Sequence, residues 1–141
     1  MARVLFVCTQ NAGRSQMSAA LFRQVAAGRH ESRSAGTRPA ASVHPLVVEA
    51  MREVGIDLGG RRPLRLTDDL AAWADVVVTM GCGDECPYIP GKKYIDWELA
   101  DPAKQPIGEV RLIRDDIGRR VKVLAGQLDR GACSSGQQAG F

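Results

Sequence analysis

Cys8, Arg14 and Ser15 stand in the segment VCTQNAGRSQM, residues 7–17, with the thiol six positions before the guanidinium. The residues between them are small or polar. A thiol set beside an arginine and a hydroxyl in such a loop suits nucleophilic attack on a bound oxyanion. The arginine supplies a planar fork that holds two anion oxygens at once. Ala12 and Gly13 let the chain curl tightly, and Asn11 tolerates a left-handed backbone. Thr9, Gln10, Asn11, Ala12 and Gly13, with Arg14, then form an oxyanion cradle at a helix N-terminus, where backbone N–H groups face an anion. The same donors favour the thiolate form of Cys8, and the Ser15 hydroxyl can donate to the sulfur. The competing reading is a buried cysteine at a strand end with Arg14 at the surface. Placement between an apolar strand and a helix favours the cradle.

Two further places carry usable chemistry. Asp101 precedes Pro102, which reads either as a helix start, with the aspartate as cap, or as a carboxylic acid placed to donate a proton. The segment CGDEC sets Cys82 and Cys86 four residues apart. In a helical turn that spacing brings two Cβ atoms to about 5–6 Å, close to what a disulfide needs. The pair could instead be half of a zinc site, or two inert loop thiols. A zinc site lacks a convincing second pair, because Cys133 falls near the end of the chain and the histidines are remote. Asp96, Asp115 and Asp116 read as solvated or capping groups. His30 and His44 read as surface or capping groups, Trp73 and Trp97 as packing residues. Arg61, Arg62 and Arg65 read as a solvated basic face that can also guide anions or a partner.

The elements that must position these groups follow from periodicity. ARVLFV, residues 2–7, is a short apolar run and reads as a buried strand. Met17, Leu21 and Val25 recur at helical spacing until Gly28 stops the helix. ESRSA, residues 31–35, is a weaker strand. Ser42 is the expected N-cap of a helix that presents Val47, Ala50, Met51 and Val54. LTDDLAAWA predicts a short helix, DVVVTM (75–80) a buried strand and KYIDW a fourth strand. A long helix is expected from residue 106 to about 128, then a disordered tail over 130–141 after a domain spanning 1–129. Strands alternating with helices predict an α/β fold, a parallel sheet with helices on both faces. Ligands in such a sheet bind at the strand C-termini, where strand order reverses. Cys8 and Cys82 both follow the ends of apolar strands.

The whole chain has 141 residues, 45% of them hydrophobic and 25% charged, with a net charge of +3 and four cysteines. That length suits one domain with a sizeable core. No basic run with interleaved aromatics points to nucleic acid, and no apolar window approaches a membrane span. Cysteines in a chain of this kind read as catalytic, metal-binding or redox-active groups of a cytoplasmic protein.

The strand followed by CTQNAGRS resembles the low-molecular-weight protein tyrosine phosphatase family, and RSQM (14–17) resembles its arsenate reductase branch. The phosphatases usually have proline where Gln16 stands. The resemblance continues through SAGT (34–37), DVVVTM and DPA (101–103), over about residues 2–128. It implies a four-stranded parallel sheet in the order 2-1-3-4. It implies Cys8, Arg14, Ser15, Asp101, Cys82 and Cys86 as catalytic residues, with Asp101 hanging over the loop as general acid. It also implies a relay. Cys8 attacks arsenate, Cys82 attacks Cys8 and releases arsenite, and Cys86 attacks Cys82. An external thiol then reduces the pair, either thioredoxin or a small thiol such as mycothiol (with its mycoredoxin) or glutathione. No bound cofactor is implied, because sulfur carries the electrons.

Some members of the family hold potassium beside the loop with a glutamate that corresponds to Ala19 here. Asn11, Ser34 and Asp68 still offer oxygens, and no metal is expected. Two other functions compete with arsenate reduction. One is a protein tyrosine phosphatase. The other is a noncatalytic oxyanion sensor or redox-regulated interaction module, which would not need Cys8, Arg14, Ser15 and Asp101 together.

Overall fold

A computed structural model describes residues 1–81 and 91–131. Strands β1 (Arg3–Cys8), β2 (Glu31–Gly36), β3 (Val76–Thr79) and β4 (Lys93–Asp96) form one parallel sheet in the order β2-β1-β3-β4. Helices α1 (Arg14–Ala26), α2 (Pro45–Arg52), α3 (Asp68–Trp73) and α4 (Ile107–Gly131) complete the described chain. The expected α/β class and strand order are therefore present.

β1 lies inside the sheet, and Val4 through Cys8 are all buried, which is why the strand reads as an unbroken apolar run. Alternation then divides it. Val4, Phe6 and Cys8 join the core formed with α1, α2 and α4, while Leu5 and Val7 pack with Leu70 and Trp73 of α3. Phe6 is fully buried between Phe22 and Trp97, at ring-centroid distances of 5.7 and 5.8 Å. Burying that one ring contributes roughly 2–3 kcal/mol.

Three local readings change. α2 starts at Pro45 behind His44, not behind Ser42. Proline drives its predecessor to extended backbone, and His44 has φ −58° and ψ 132°, so no helix can begin before it. α4 runs to Gly131, two residues past Asp129. Leu128 is buried there, and Asp129 meets Arg29 at 3.1 Å and His30 at 2.8 Å, so tertiary anchors extend the last turn. His30 is buried, not at the surface. Its Nδ1 accepts the Ala2 N–H at 3.0 Å, which leaves Nε2 to carry the proton toward Asp129 Oδ1. This bond joins the start of β1 to the end of α4.

The arginines of α4 also tie the helices together. Arg111 and Arg114 both reach Glu53, just past α2, at 2.7 and 2.8 Å. Hydrogen bonds from Arg111 and then Arg114 pull the Glu53 carboxyl down to about 2.

Candidate active site

Cys8 ends β1, and the chain then turns into α1 through residues 9–13. Asn11 takes the left-handed conformation expected of it, with φ 51°. The carbonyls of Cys8, Thr9, Gln10 and Ala12 accept N–H groups from Thr37, Arg38, Ala40 and His44 at 2.8–3.2 Å. This strap over residues 37–44 pulls the carbonyls outward. Among the described residues, nothing accepts from the N–H groups of Thr9, Gln10, Ala12 and Gly13, while the Asn11 N–H points at Cys8 Sγ from 3.3 Å. Donors left over at a helix N-terminus are the groups an oxyanion cradle would use.

Side chains arrange the bonds around the sulfur. The Leu64 N–H donates to Asn11 Oδ1 at 2.8 Å, and a backbone N–H can only donate. Asn11 Nδ2 must then face Ser15 Oγ, 2.7 Å away, and donates to it. The Ser15 hydroxyl stands 2.9 Å from Cys8 Sγ and is free to donate its proton to a thiolate there. The Cys8 sulfur thus accepts the Asn11 amide and has the Ser15 hydroxyl beside it. Gln16 completes the network. Its Nε2 donates to Asn11 Oδ1 at 3.1 Å and to the Arg62 carbonyl at 3.3 Å. Asn11, Ser15 and Gln16 are all buried.

Arg14 is only 8% exposed. Its Nη1 donates to the Leu99 carbonyl at 3.3 Å, and its Nη2 lies 3.7 Å from Asp101 Oδ2. Gly81 packs against the guanidinium so closely that a Cβ there would overlap Arg14, and its φ of 82° also disfavours any side chain. The Gly81 carbonyl accepts the Thr9 hydroxyl at 3.2 Å. The chain thus arrives beside the cradle one residue before Cys82. Cys82, Cys86 and Cys133 lie outside the described residues.

Asp101 does not start a helix. It closes a turn by accepting the Ala103 N–H at 2.9 Å, well before α4 begins at Ile107. Its side chain is 55% exposed. Pro102 seats the turn on the cradle, because a Cβ on Gly13 would stand 2.6 Å from Pro102 Cγ. Sequence reasoning missed Gln16 as a strut, the 37–44 strap and the roles of Gly13 and Gly81. A polar residue on the buried stripe of α1 was the available signal for Gln16.

The donors do not fit a potassium ion. Asn11 Oδ1 is taken by Gln16 and Leu64, the Ala19 side chain brings no oxygen, and its carbonyl accepts the Ser32 hydroxyl. Ser34 lines a pocket shared with Arg23, Arg33, Arg61 and Arg62, and Asp68 does not line it. Among the described residues, no three His, Cys, Asp or Glu side chains gather to hold a metal, and no helix is long and apolar enough to cross a membrane.

Comparison with known proteins adds to this geometry. The family described as "Low molecular weight phosphotyrosine protein phosphatase" matches residues 3–133. A thioredoxin-dependent arsenate reductase from Corynebacterium glutamicum has a solved structure with TM-score 0.79 and 41% identity; the match covers 93% of this chain and 63% of that one. A glutaredoxin arsenate reductase from Synechocystis is 33% identical over 131 residues, 91% of this chain and 99% of the relative. An arginine phosphatase from Geobacillus stearothermophilus is 27% identical with TM-score 0.79, over 96% of this chain and 97% of that one.

Proposed function

Because the chain belongs to the low molecular weight phosphotyrosine protein phosphatase family, we propose that it uses the family's cradle to reduce arsenate to arsenite. The observation that carries the reading is the chain of hydrogen-bonded groups from Leu64 through Asn11 and Ser15 to Cys8 Sγ. It supports Cys8 as nucleophile, with the loop 9–13 and Arg14 as the oxyanion site. The 3.7 Å approach of Asp101 to Arg14 places its carboxyl at the mouth of the oxyanion site, within reach of a leaving oxygen, which supports it as general acid. A phosphatase would need no second thiol. Here Gly81 touches Arg14 immediately before Cys82, which supports Cys82 as the next thiol in line.

The steps balance as follows. The Cys8 thiolate attacks arsenic(V) and forms an S–As bond, and an arsenate oxygen leaves as water on taking the Asp101 proton. The Cys82 thiolate then attacks the Cys8 sulfur. An S–S bond forms, the S–As bond breaks, and its electron pair stays on arsenic, which departs as arsenite. Cys86 attacks Cys82, moves the disulfide to that pair and frees Cys8. An external thiol restores the pair. Thioredoxin supports this role through the Corynebacterium protein's dependence on it, and mycothiol or glutathione could serve instead. A relay of free thiols belongs in the cytoplasm, where thiols stay reduced.

A second reading, phosphate monoester hydrolysis, has one observation in its favour. The cradle does not distinguish arsenate from phosphate, and the arginine phosphatase shares the fold at nearly full length. Counting free thiols before and after one equivalent of arsenate, with arsenite measured in parallel, separates the two. Reduction consumes about two thiols per arsenite, since one disulfide forms per two-electron step. Cys8→Ser should abolish reduction. Cys82→Ser should stall as a Cys8 adduct, and Cys86→Ser should stop as a Cys8–Cys82 disulfide. Unchanged thiols together with hydrolysis of p-nitrophenyl phosphate would select the phosphatase reading. Normal turnover of both resolving-cysteine variants with a small thiol would remove the relay.

A further inference from the structure

Beside Gln16 and Ser34 the chain gathers positive side chains with no acid among them. A cavity of about 90 Å³ lies between α1, β2 and the segment 58–64. Arg23, Arg33, Arg61 and Arg62 line it, and none of its lining residues is a carboxylate. We propose that this pocket is a second anion site, distinct from the cradle, which takes one small tetrahedral oxyanion such as inorganic phosphate.

Several other arginines are neutralised by carboxylates. Arg29 meets Asp129, Arg111 and Arg114 meet Glu53, and Arg119 and Arg120 meet Asp116. Among the described residues, Arg23, Arg33, Arg61 and Arg62 meet no carboxylate. Asp57 shares the adjoining groove with Arg23 and Arg61, but it is engaged by Arg52 at 4.0 Å and by the Gly59 N–H at 2.8 Å. The Arg33 guanidinium carbon sits 4.4 Å from the Trp73 ring centroid, which holds the side chain without neutralising it. Four like charges around one cavity repel each other, and a multiply charged anion removes that repulsion.

Size and donor type narrow the ligand. The enclosed part of the cavity, about 90 Å³, suits a small anion. Guanidinium forks match the oxygens of phosphate, arsenate or sulfate. The Ser34 hydroxyl on the wall adds a donor. Ser32 does not, because its hydroxyl donates to the Ala19 carbonyl at 2.9 Å.

Gln16 belongs to both sites. It lines the pocket, and its Nε2 joins the Arg62 carbonyl to Asn11 of the cradle. An anion that orders Arg62 therefore orders the residue that holds the Cys8 loop.

Equilibrium dialysis against radiolabelled inorganic phosphate, with amide NMR on the same samples, tests the site. Wild type should bind about two equivalents, one moving the amides of Asn11 to Gly13 and the other those of Ser34 and Arg61. The double variant Arg23→Gln, Arg61→Gln, exposed positions outside the cradle, should keep the first and weaken the second by more than about 10-fold. One equivalent in wild type, or two retained in the double variant, would overturn the proposal. So would movement of the Ser34 amide by potassium chloride that tetramethylammonium chloride does not reproduce, which would restore a cation site. Neither readout depends on arsenate turnover, so the proposal and the reductase reading stand or fall separately.

Discussion

Two loops meet at the C-terminal edge of the sheet, and they are built in opposite ways. The loop after β1 is buried and closed. Its carbonyls are held by the 37–44 strap, and its polar side chains bond one another in a fixed order. The loop that carries Asp101 is open. Asp101 makes one short bond, to Ala103, is half exposed, and stands at the long distance of 3.7 Å from Arg14. The contrast matches the work proposed for each. A nucleophile gains from being fixed before substrate arrives, because orientation lowers the barrier in advance. An acid must meet oxygens that are present only once the anion binds, so it needs freedom to swing. Gly13 is the hinge between the two designs, since its missing side chain is the seat of Pro102.

The contrast is tested most severely at the acid. Asp101→Asn should lower arsenate turnover by about 100- to 1000-fold, the range of a lost general acid, and leave the melting temperature within about 1 °C. A large fall in melting temperature would show that the acid loop is structural after all. Asn11→Ala should do the reverse. Removing both its acceptor and its donor leaves the Leu64 N–H and Ser15 unmatched, and should cost about 2–3 kcal/mol in urea unfolding. A loss below about 0.5 kcal/mol would mean that the closed loop is not closed by Asn11.

Gly13→Ala should uncouple the loops. Displacing Pro102 carries Asp101 away and should cut turnover about tenfold or more. Alkylation of Cys8 by iodoacetamide should hold within about twofold, since the donors around the sulfur stay in place. Equal losses in both would place the damage in the cradle itself. The smallest effect belongs far from both loops. Glu53 has its carboxyl lowered from 4.5 to about 2 by Arg111 and Arg114. Its contribution to stability is therefore full above about pH 4.5 and fades as pH falls toward 2. Glu53→Gln should lower the melting temperature at neutral pH, with the gap to wild type closing in acid and turnover unaffected. A gap that ignores pH would show that the ion pairs are not its source.

Much of this was legible in the sequence, for particular reasons. β1 and β3 are buried on both faces, so each reads as a continuous apolar run. The cradle reads from Cys8, Asn11, Gly13, Arg14 and Ser15 because small residues at a strand-to-helix turn leave few alternatives. What stayed hidden depends on partners remote in sequence. Ser42 is a better cap than His44 in isolation, and only the backbone preference imposed by Pro45 decides against it. His30 looks like a surface residue until Ala2 and Asp129 take its two ring nitrogens. Asp101 next to proline matches a helix start, and the turn that replaces it is set by contact with Gly13. Gln16 gives no local sign that it reaches both Asn11 and Arg62. The proposed relay partners Cys82 and Cys86 lie outside the described residues, so their pairing rests on spacing and on the position of Gly81.

The order of the strands also bears on synthesis. β1 leaves the ribosome first, yet it lies between β2 and β3, so it cannot be covered on both edges until Thr79 has emerged beside Val7. Contacts of such high sequence separation form late and slowly. The same holds for Cys8. Its loop needs the strap at 37–44, Asn11 needs Leu64, and Arg14 needs the backbone of Gly81 and the carbonyl of Leu99. A nascent Cys8 is therefore an ordinary thiol, no more reactive than any other in the unfinished chain. The reactive centre follows the earliest strand of the sheet and is among the last parts of the molecule to be assembled.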